Sequence, residues 1–87
     1  MELKWYEKAW DEYLEWQVED KKTLKKINSL LKDIQRNGNN GIGKTEALSK
    51  DLSEWYSKRI NDKDRLVYKI KNGEVIIASC KGHYDDK

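Results

Sequence analysis

Eighty-seven residues fit one domain, since a second could not bury a core of its own. A chain this size hides only about 60–65% of its unfolded surface, which argues against a large multi-part active site. Apolar residues make up 37% and charged residues 39%, with four Trp, five Tyr, no Phe and no Pro. The charge fraction is high, yet the aromatics and the spaced Leu, Ile and Val argue against a disordered chain. The longest apolar run, Val75 to Ala78, is far short of the roughly 20 residues a membrane span needs. Met1 to Lys4 leads into no apolar h-region, and the single cysteine, Cys80, leaves no intrachain disulfide. The expectation is one soluble, cytoplasmic domain over residues 1–87, away from any membrane, with 85–87 a short tail.

Leu3-Lys4-Trp5 alternates as a short opening strand. From Glu7 to Val18, Trp10, Tyr13, Leu14 and Val18 recur at helical spacing, with Ala9 and Trp16 widening the stripe, and Trp10 is expected in the core. Asp20 is a natural N-cap for a second helix, along which Leu24, Ile27, Leu30, Leu31 and Ile34 repeat and Gly38 supplies the stop. Asn37 to Thr45, rich in Gly and Asn, reads as a loop. Period two then takes over in Trp55–Ile60, Arg65–Ile70 and Val75–Cys80, three strands joined by turns at Asn61–Asp64 and Asn72-Gly73. The order β-α-α-β-β-β predicts an α+β fold, two N-terminal helices packed on one face of a small antiparallel sheet.

Charge is unevenly laid out along these elements. Residues 1–20 carry two Lys against seven acids, whereas residues 21–50 carry eight basic residues against Asp33 and Glu46. This suits either two helix faces of opposite sign that attract each other or a positive face that a polyanion would feel. The lysines of the second helix, Lys21, Lys22, Lys25 and Lys26, fit a solvated face or an RNA footprint equally.

Gly38 to Thr45 matches the phosphate-loop pattern G-x-x-x-x-G-K-[ST] letter for letter. That loop works only between a buried strand and a helix whose N-terminus faces the phosphates. Here a helix precedes it and no parallel sheet is available to form a nucleotide crevice, so nucleotide hydrolysis is not expected.

The scarce residues are more informative. The only histidine, His83, follows the last predicted strand, and Tyr84 follows it. Counting outward from the Asn72-Gly73 turn brings Arg65 towards residues 80–81, at the same end of the sheet as His83. Arg59 approaches Arg65 across the Asn61–Asp64 turn, and Glu46 leaves the loop just before the sheet begins. A carboxylate, a histidine and an arginine suit phosphodiester transfer in RNA. A base must take the 2′-OH proton, an acid must protonate the departing 5′-oxygen, and a fixed cation must meet the charge on phosphorus. Arginine holds two phosphate oxygens at once, and no metal or cofactor is required. By themselves these residues fit surface ion pairs at a sheet edge as well. Cys80, in an apolar strand, reads as a packing residue, and Trp55 and Tyr56 could stack on bases or pack against the helices.

The chain resembles the RelE/YoeB family of bacterial type II toxin–antitoxin ribonucleases from Trp5 to Tyr84. The resemblance is carried by Trp10-Asp11-Glu12-Tyr13-Leu14 with Trp16, Lys25-Lys26-Ile27-Asn28, Gly43-Lys44 with Glu46 and Leu48, Leu52-Ser53, Ser57 with Arg59-Ile60, Arg65-Leu66-Val67-Tyr68, and His83-Tyr84. It implies a microbial-ribonuclease-like fold and cleavage of mRNA in the ribosomal A site. It also implies neutralisation by a YefM-like antitoxin and contact with operator DNA only as the toxin–antitoxin complex, and it leaves a homodimer open. By the same resemblance Glu46 is the general base, His83 the general acid, Arg65 the transition-state cation, and Tyr84 an aromatic that orients or stacks on substrate. Lys44 and Arg59 fall on basic positions that contact RNA. Two departures stand out. The relatives carry Lys-His after the leucine at 48, where this chain has Ser49-Lys50, so Lys50 would supply the charge one position later. Asp85-Asp86-Lys87 extends past the usual end, and nearby carboxylates would favour protonated His83. The rival readings are a non-catalytic RNA- or ribosome-binding module and a protein whose main role is to bind its partner and DNA.

Overall fold

The computed structural model describes the backbone of residues 1–40, 45–47 and 55–82, and the side chains of 1–39 and 55–82. In chain order the elements are β1 (Glu2–Trp5), α1 (Glu7–Glu19), α2 (Lys21–Asn37) with a 3-10 turn at Gly38–Asn40, β2 (Thr45–Ala47), β3 (Tyr56–Arg59), β4 (Arg65–Lys71) and β5 (Glu74–Ser79). The strands form one sheet in the order β1-β5-β4-β3-β2. The predicted α+β architecture is present, with the antiparallel meander running from β2 to β5.

Two features extend the sequence reading. β1 joins the outer edge of β5 in parallel, Leu3 opposite Val75 and Trp5 opposite Ile77, because alternation reveals a strand but neither its partner nor its direction. β2, three residues long, lies where the sequence predicts only the end of a loop, and pairs with β3. The Asn72-Gly73 hairpin is as expected: both residues have positive φ, 53° and 77°, the twist that a two-residue turn between right-twisted strands requires.

Helix boundaries follow from local chemistry. The Asp20 carboxylate accepts from the backbone amides of Lys22 (3.1 Å) and Thr23 (3.2 Å) and from the Thr23 hydroxyl (2.8 Å), which holds its pKa below the ordinary value. Gly38, at φ 62°, ends α2 by donating its amide to the Ile34 carbonyl. Ile27, Leu30, Leu31 and Ile34 of α2 are buried against Leu66, Tyr68, Val75 and Ile77 of the sheet. Lys58 is also fully buried; desolvation lowers its pKa, opposed by the charge of Asp33.

Helix α1 departs from expectation. Trp10, Leu14 and Val18 are exposed, Trp10 at 44%, whereas Ala9 and Trp16 are buried. Ala9, Tyr13 and Trp16 form one helical stripe and Trp10, Leu14 and Val18 another, so spacing alone does not choose between them. The fold chooses the first, because small Ala9 lets the helix sit close to Cys80 and Trp16 reaches the Cys80 carbonyl at 2.9 Å. Trp10 instead joins a rim cluster, edge-on to Trp5 (5.6 Å) and stacked with Tyr13 (5.8 Å). The two helices touch through the Tyr13 hydroxyl, which donates to Asn28 (2.7 Å), while Glu15 and Glu19 of α1 pair with Lys81 and not with the lysines of α2.

Candidate functional site

With the helices on one side, the strand register defines what the other face of the sheet carries. Leu66, Tyr68 and Ile77 point to the helices, so their neighbours Arg65, Val67 and Lys69 on β4 and Ser57 and Arg59 on β3 occupy the opposite face. Arg59 stands directly across from Arg65. Like charges directly opposite on one sheet face repel, and such a pair is stabilised by anions. Glu46 is in register with Ser57, which in turn faces Val67, one step along from the arginines. That backbone position is about 10 Å across the strands and about 7 Å along them from Arg65.

The turn between β3 and β4 shapes this end of the sheet. The Asn61 side-chain oxygen accepts from the amides of Lys63 and Asp64, both at 2.8 Å, and the Asp64 carbonyl accepts from Ile60 (3.0 Å). The turn presents two carbonyls, of Asn61 (2.7 Å) and Asp64 (3.1 Å), to Nη1 of Arg65. These contacts fix the guanidinium plane while the rest of its five-donor fork remains to meet other groups. Arg59, well exposed, forms an ion pair with Asp62 of the same turn. Further along the face the ammonium of Lys69 lies 4.7 Å from the centre of the Trp55 ring, and Tyr6 meets that ring edge-on at 5.7 Å. Tyr56 packs against the core, whereas Trp55 meets Lys69 and Tyr6.

The chain after β5 returns to Arg65. A bulge on β5 sets Tyr68 opposite Ile77 but Val67 opposite Ser79, which shifts the pairing by one residue. The Arg65 amide donates to the carbonyl of Gly82 (3.0 Å), two residues beyond Cys80, the partner that an unbroken count from the turn gives, and the bulge accounts for one of the two. Gly82 immediately precedes His83. Glu46, Arg59 and Arg65 thus take register positions on three neighbouring strands, β2, β3 and β4, and Gly82 is bonded to Arg65. His83, Tyr84, Lys44 and Lys50 lie outside the described residues, as does the greater part of the phosphate-loop match.

Residues to which the sequence assigns no site role hold the segment 80–82. Glu12 accepts from the Cys80 amide (2.8 Å), Trp16 donates to the Cys80 carbonyl, and Asp64 accepts from the Gly82 amide (2.7 Å). Lys81 reaches Glu15 (2.7 Å) and Glu19 (2.5 Å) and lies over the Trp16 ring, and these bonds raise its pKa. Burial, with the nearby charges of Glu12 and Asp64, pushes the Cys80 thiol up to about 12, a packing residue and not a nucleophile. An acid on an amphipathic helix or in a turn gives no sequence signal of such a contact.

Comparison with known proteins bears on the family and the fold. The family model described as a YoeB-like toxin of bacterial type II toxin–antitoxin systems matches residues 5–84. A curated relative, Toxin YoeB of Escherichia coli (strain K12), is 46% identical over 84 residues, covering 97% of this chain and 100% of the relative. Among solved structures, the YoeB–YefM complex from Staphylococcus aureus superposes with a TM-score of 0.88 at 46% identity, covering 97% of this chain and 98% of that one. The YoeB dimer from the same organism gives 0.89 at 47% identity, with the same coverage. Identity at this level across nearly the whole length, on the same fold, means that the chain belongs to the YoeB-like toxins of bacterial type II toxin–antitoxin systems.

Proposed function

We propose that this toxin is an endoribonuclease that cleaves mRNA in the ribosomal A site and so blocks translation in the bacterial cytoplasm. The observation that carries the reading is the Arg59–Arg65 pair on the sheet face away from the helices, with Glu46 in register on the adjoining strand and Gly82, which leads into His83, bonded to the Arg65 amide. The Glu46 carboxylate takes the proton from the 2′-OH of the nucleotide before the cut, and the oxygen attacks phosphorus. Charge gathers on the non-bridging oxygens, where the Arg65 fork meets it. His83 gives a proton to the departing 5′-oxygen, leaving a 2′,3′-cyclic phosphate and a 5′-hydroxyl. The groups named suffice for every proton and charge in this sequence, so no metal is assigned a role. Tyr84 orients or stacks on the substrate, and Arg59, Lys44 and Lys50 contact RNA phosphates.

The S. aureus complex and dimer support two assemblies for this chain: neutralisation by a YefM-like antitoxin and a homodimer. The arginine pair at the end of this face suits an acidic, apolar antitoxin segment that folds as it binds and covers the site. Operator DNA is met only by the toxin–antitoxin complex.

Primer extension on mRNA from a reconstituted translation reaction tests the reading with wild type, Glu46→Ala, Arg65→Ala and His83→Ala. A-site cuts by wild type that are lost in all three variants are expected. Cuts that persist in the variants overturn the residue roles, and blocked translation with no cuts favours a non-catalytic ribosome-binding module.

A further inference from the structure

The described chain leaves the β5 ladder at Ser79, yet each of the next three residues is gripped by side chains or backbone from elsewhere in the fold. Cys80 is held at both its amide and its carbonyl, by Glu12 and Trp16 of α1. Lys81 is held by two carboxylates of the same helix. Gly82 is held on both sides by adjacent residues of the β3–β4 turn: its amide donates to Asp64 Oδ1 at 2.7 Å, and its carbonyl accepts from the Arg65 amide at 3.0 Å. Gly82 has φ +91°, with no atom of the described residues within 4 Å of where a Cβ would stand, so backbone conformation calls for glycine there.

From this geometry we infer that Asp64 is a positioning residue: its carboxylate replaces the missing ladder partner of Gly82 and fixes the point from which His83 and Tyr84 continue. The inference rests on the proposed role of His83 and adds a residue to the machinery around it. Asp64 is buried, at 8% exposure, and its own carbonyl also holds the Arg65 guanidinium. One residue therefore ties together the proposed transition-state cation and the exit towards the proposed acid. An acid displaced by about 1 Å can lose up to roughly 100-fold in rate without any change in substrate binding.

The test compares wild type, Asp64→Ala, Asp64→Asn, Gly82→Ala and His83→Ala. Single-turnover cleavage on programmed ribosomes gives the rate, ribosome titration gives affinity, and amide hydrogen exchange at Gly82 reports the anchor itself. Asp64→Ala is expected to speed Gly82 exchange at least about tenfold and to slow cleavage about 10- to 100-fold with affinity unchanged. Asp64→Asn keeps an acceptor oxygen and is expected to restore most of the rate, which a loss of charge or fold would not allow. Gly82→Ala strains the same anchor from the other side and is expected to slow cleavage too, so the proposal stays testable if Asp64→Ala fails to fold. Unchanged Gly82 exchange, or wild-type cleavage by Asp64→Ala and Gly82→Ala while His83→Ala is inactive, overturns the positioning role alone. Full activity of His83→Ala overturns the role of His83 and the positioning role with it; the two failures are told apart by that variant.

Discussion

Replacing Trp16 by Phe, with Trp10→Phe as its control, separates the two stripes of α1. Trp16 is 7% exposed and its indole N–H donates to the carbonyl of Cys80, a residue with no exposed surface. Phenylalanine keeps the apolar body but leaves that carbonyl without its donor, a loss of about 1–3 kcal/mol. The smaller ring also leaves unfilled space, for about 1 kcal/mol more. The total of about 2–4 kcal/mol is a large share of the stability of a small domain and lowers Tm by about 4–8 °C per kcal/mol. Trp10, 44% exposed and held by ring contacts with Trp5 and Tyr13, should lose less than about 1 kcal/mol in the same exchange. Urea denaturation followed by circular dichroism reads both. Equal destabilisation by the two variants, or a larger effect at Trp10, would refute the placement of α1 on its Ala9–Trp16 face.

Two further expectations concern stability. The Cys80 thiol has its folded pKa raised from 9.0 to about 12, so below pH 9 the proton is bound in both states and the shift has no effect. Above pH 9 the unfolded chain releases that proton first, and stability falls until the folded pKa is passed. Between pH 8 and 10 wild type should therefore lose about 1.4 kcal/mol more than Cys80→Ala in matched denaturation curves, and parallel losses would contradict the burial argument. Gly73 sits at φ 77° with open space around it, so Gly73→Ala should cost about 1 kcal/mol through backbone strain alone; an unchanged Tm would show that the turn relaxes to another type.

The fold was legible wherever local chemistry decides it. Asp20 capping, the Gly38 stop, the α2 stripe and the Asn72-Gly73 turn each depend on neighbours in sequence, and each is found. What escaped the sequence is decided by distant partners. The direction of β1 depends on β5, the existence of β2 on β3, and the choice between two equal stripes of α1 on the fit of Ala9 beside Cys80. The register of Arg65 was legible to within two residues, one of them due to the bulge on β5, which no alternation pattern announces. For the site, the pairing of Arg59 with Arg65 followed from counting across a turn. The contacts of Glu12, Trp16 and Asp64 with residues 80–82 did not, since they join positions as many as 68 residues apart.

The most direct test of the proposed chemistry removes the nucleophile from the substrate. An mRNA carrying a single 2′-deoxynucleotide immediately before the A-site cut is placed on ribosomes, and its cleavage is compared with that of the all-ribose message. The mechanism requires no cut at the deoxy position, and from the all-ribose message a 2′,3′-cyclic phosphate with a 5′-hydroxyl. Efficient cutting of the deoxy message, or a 5′-phosphate on the downstream fragment, would mean that water is the nucleophile and would contradict the roles given to Glu46 and His83.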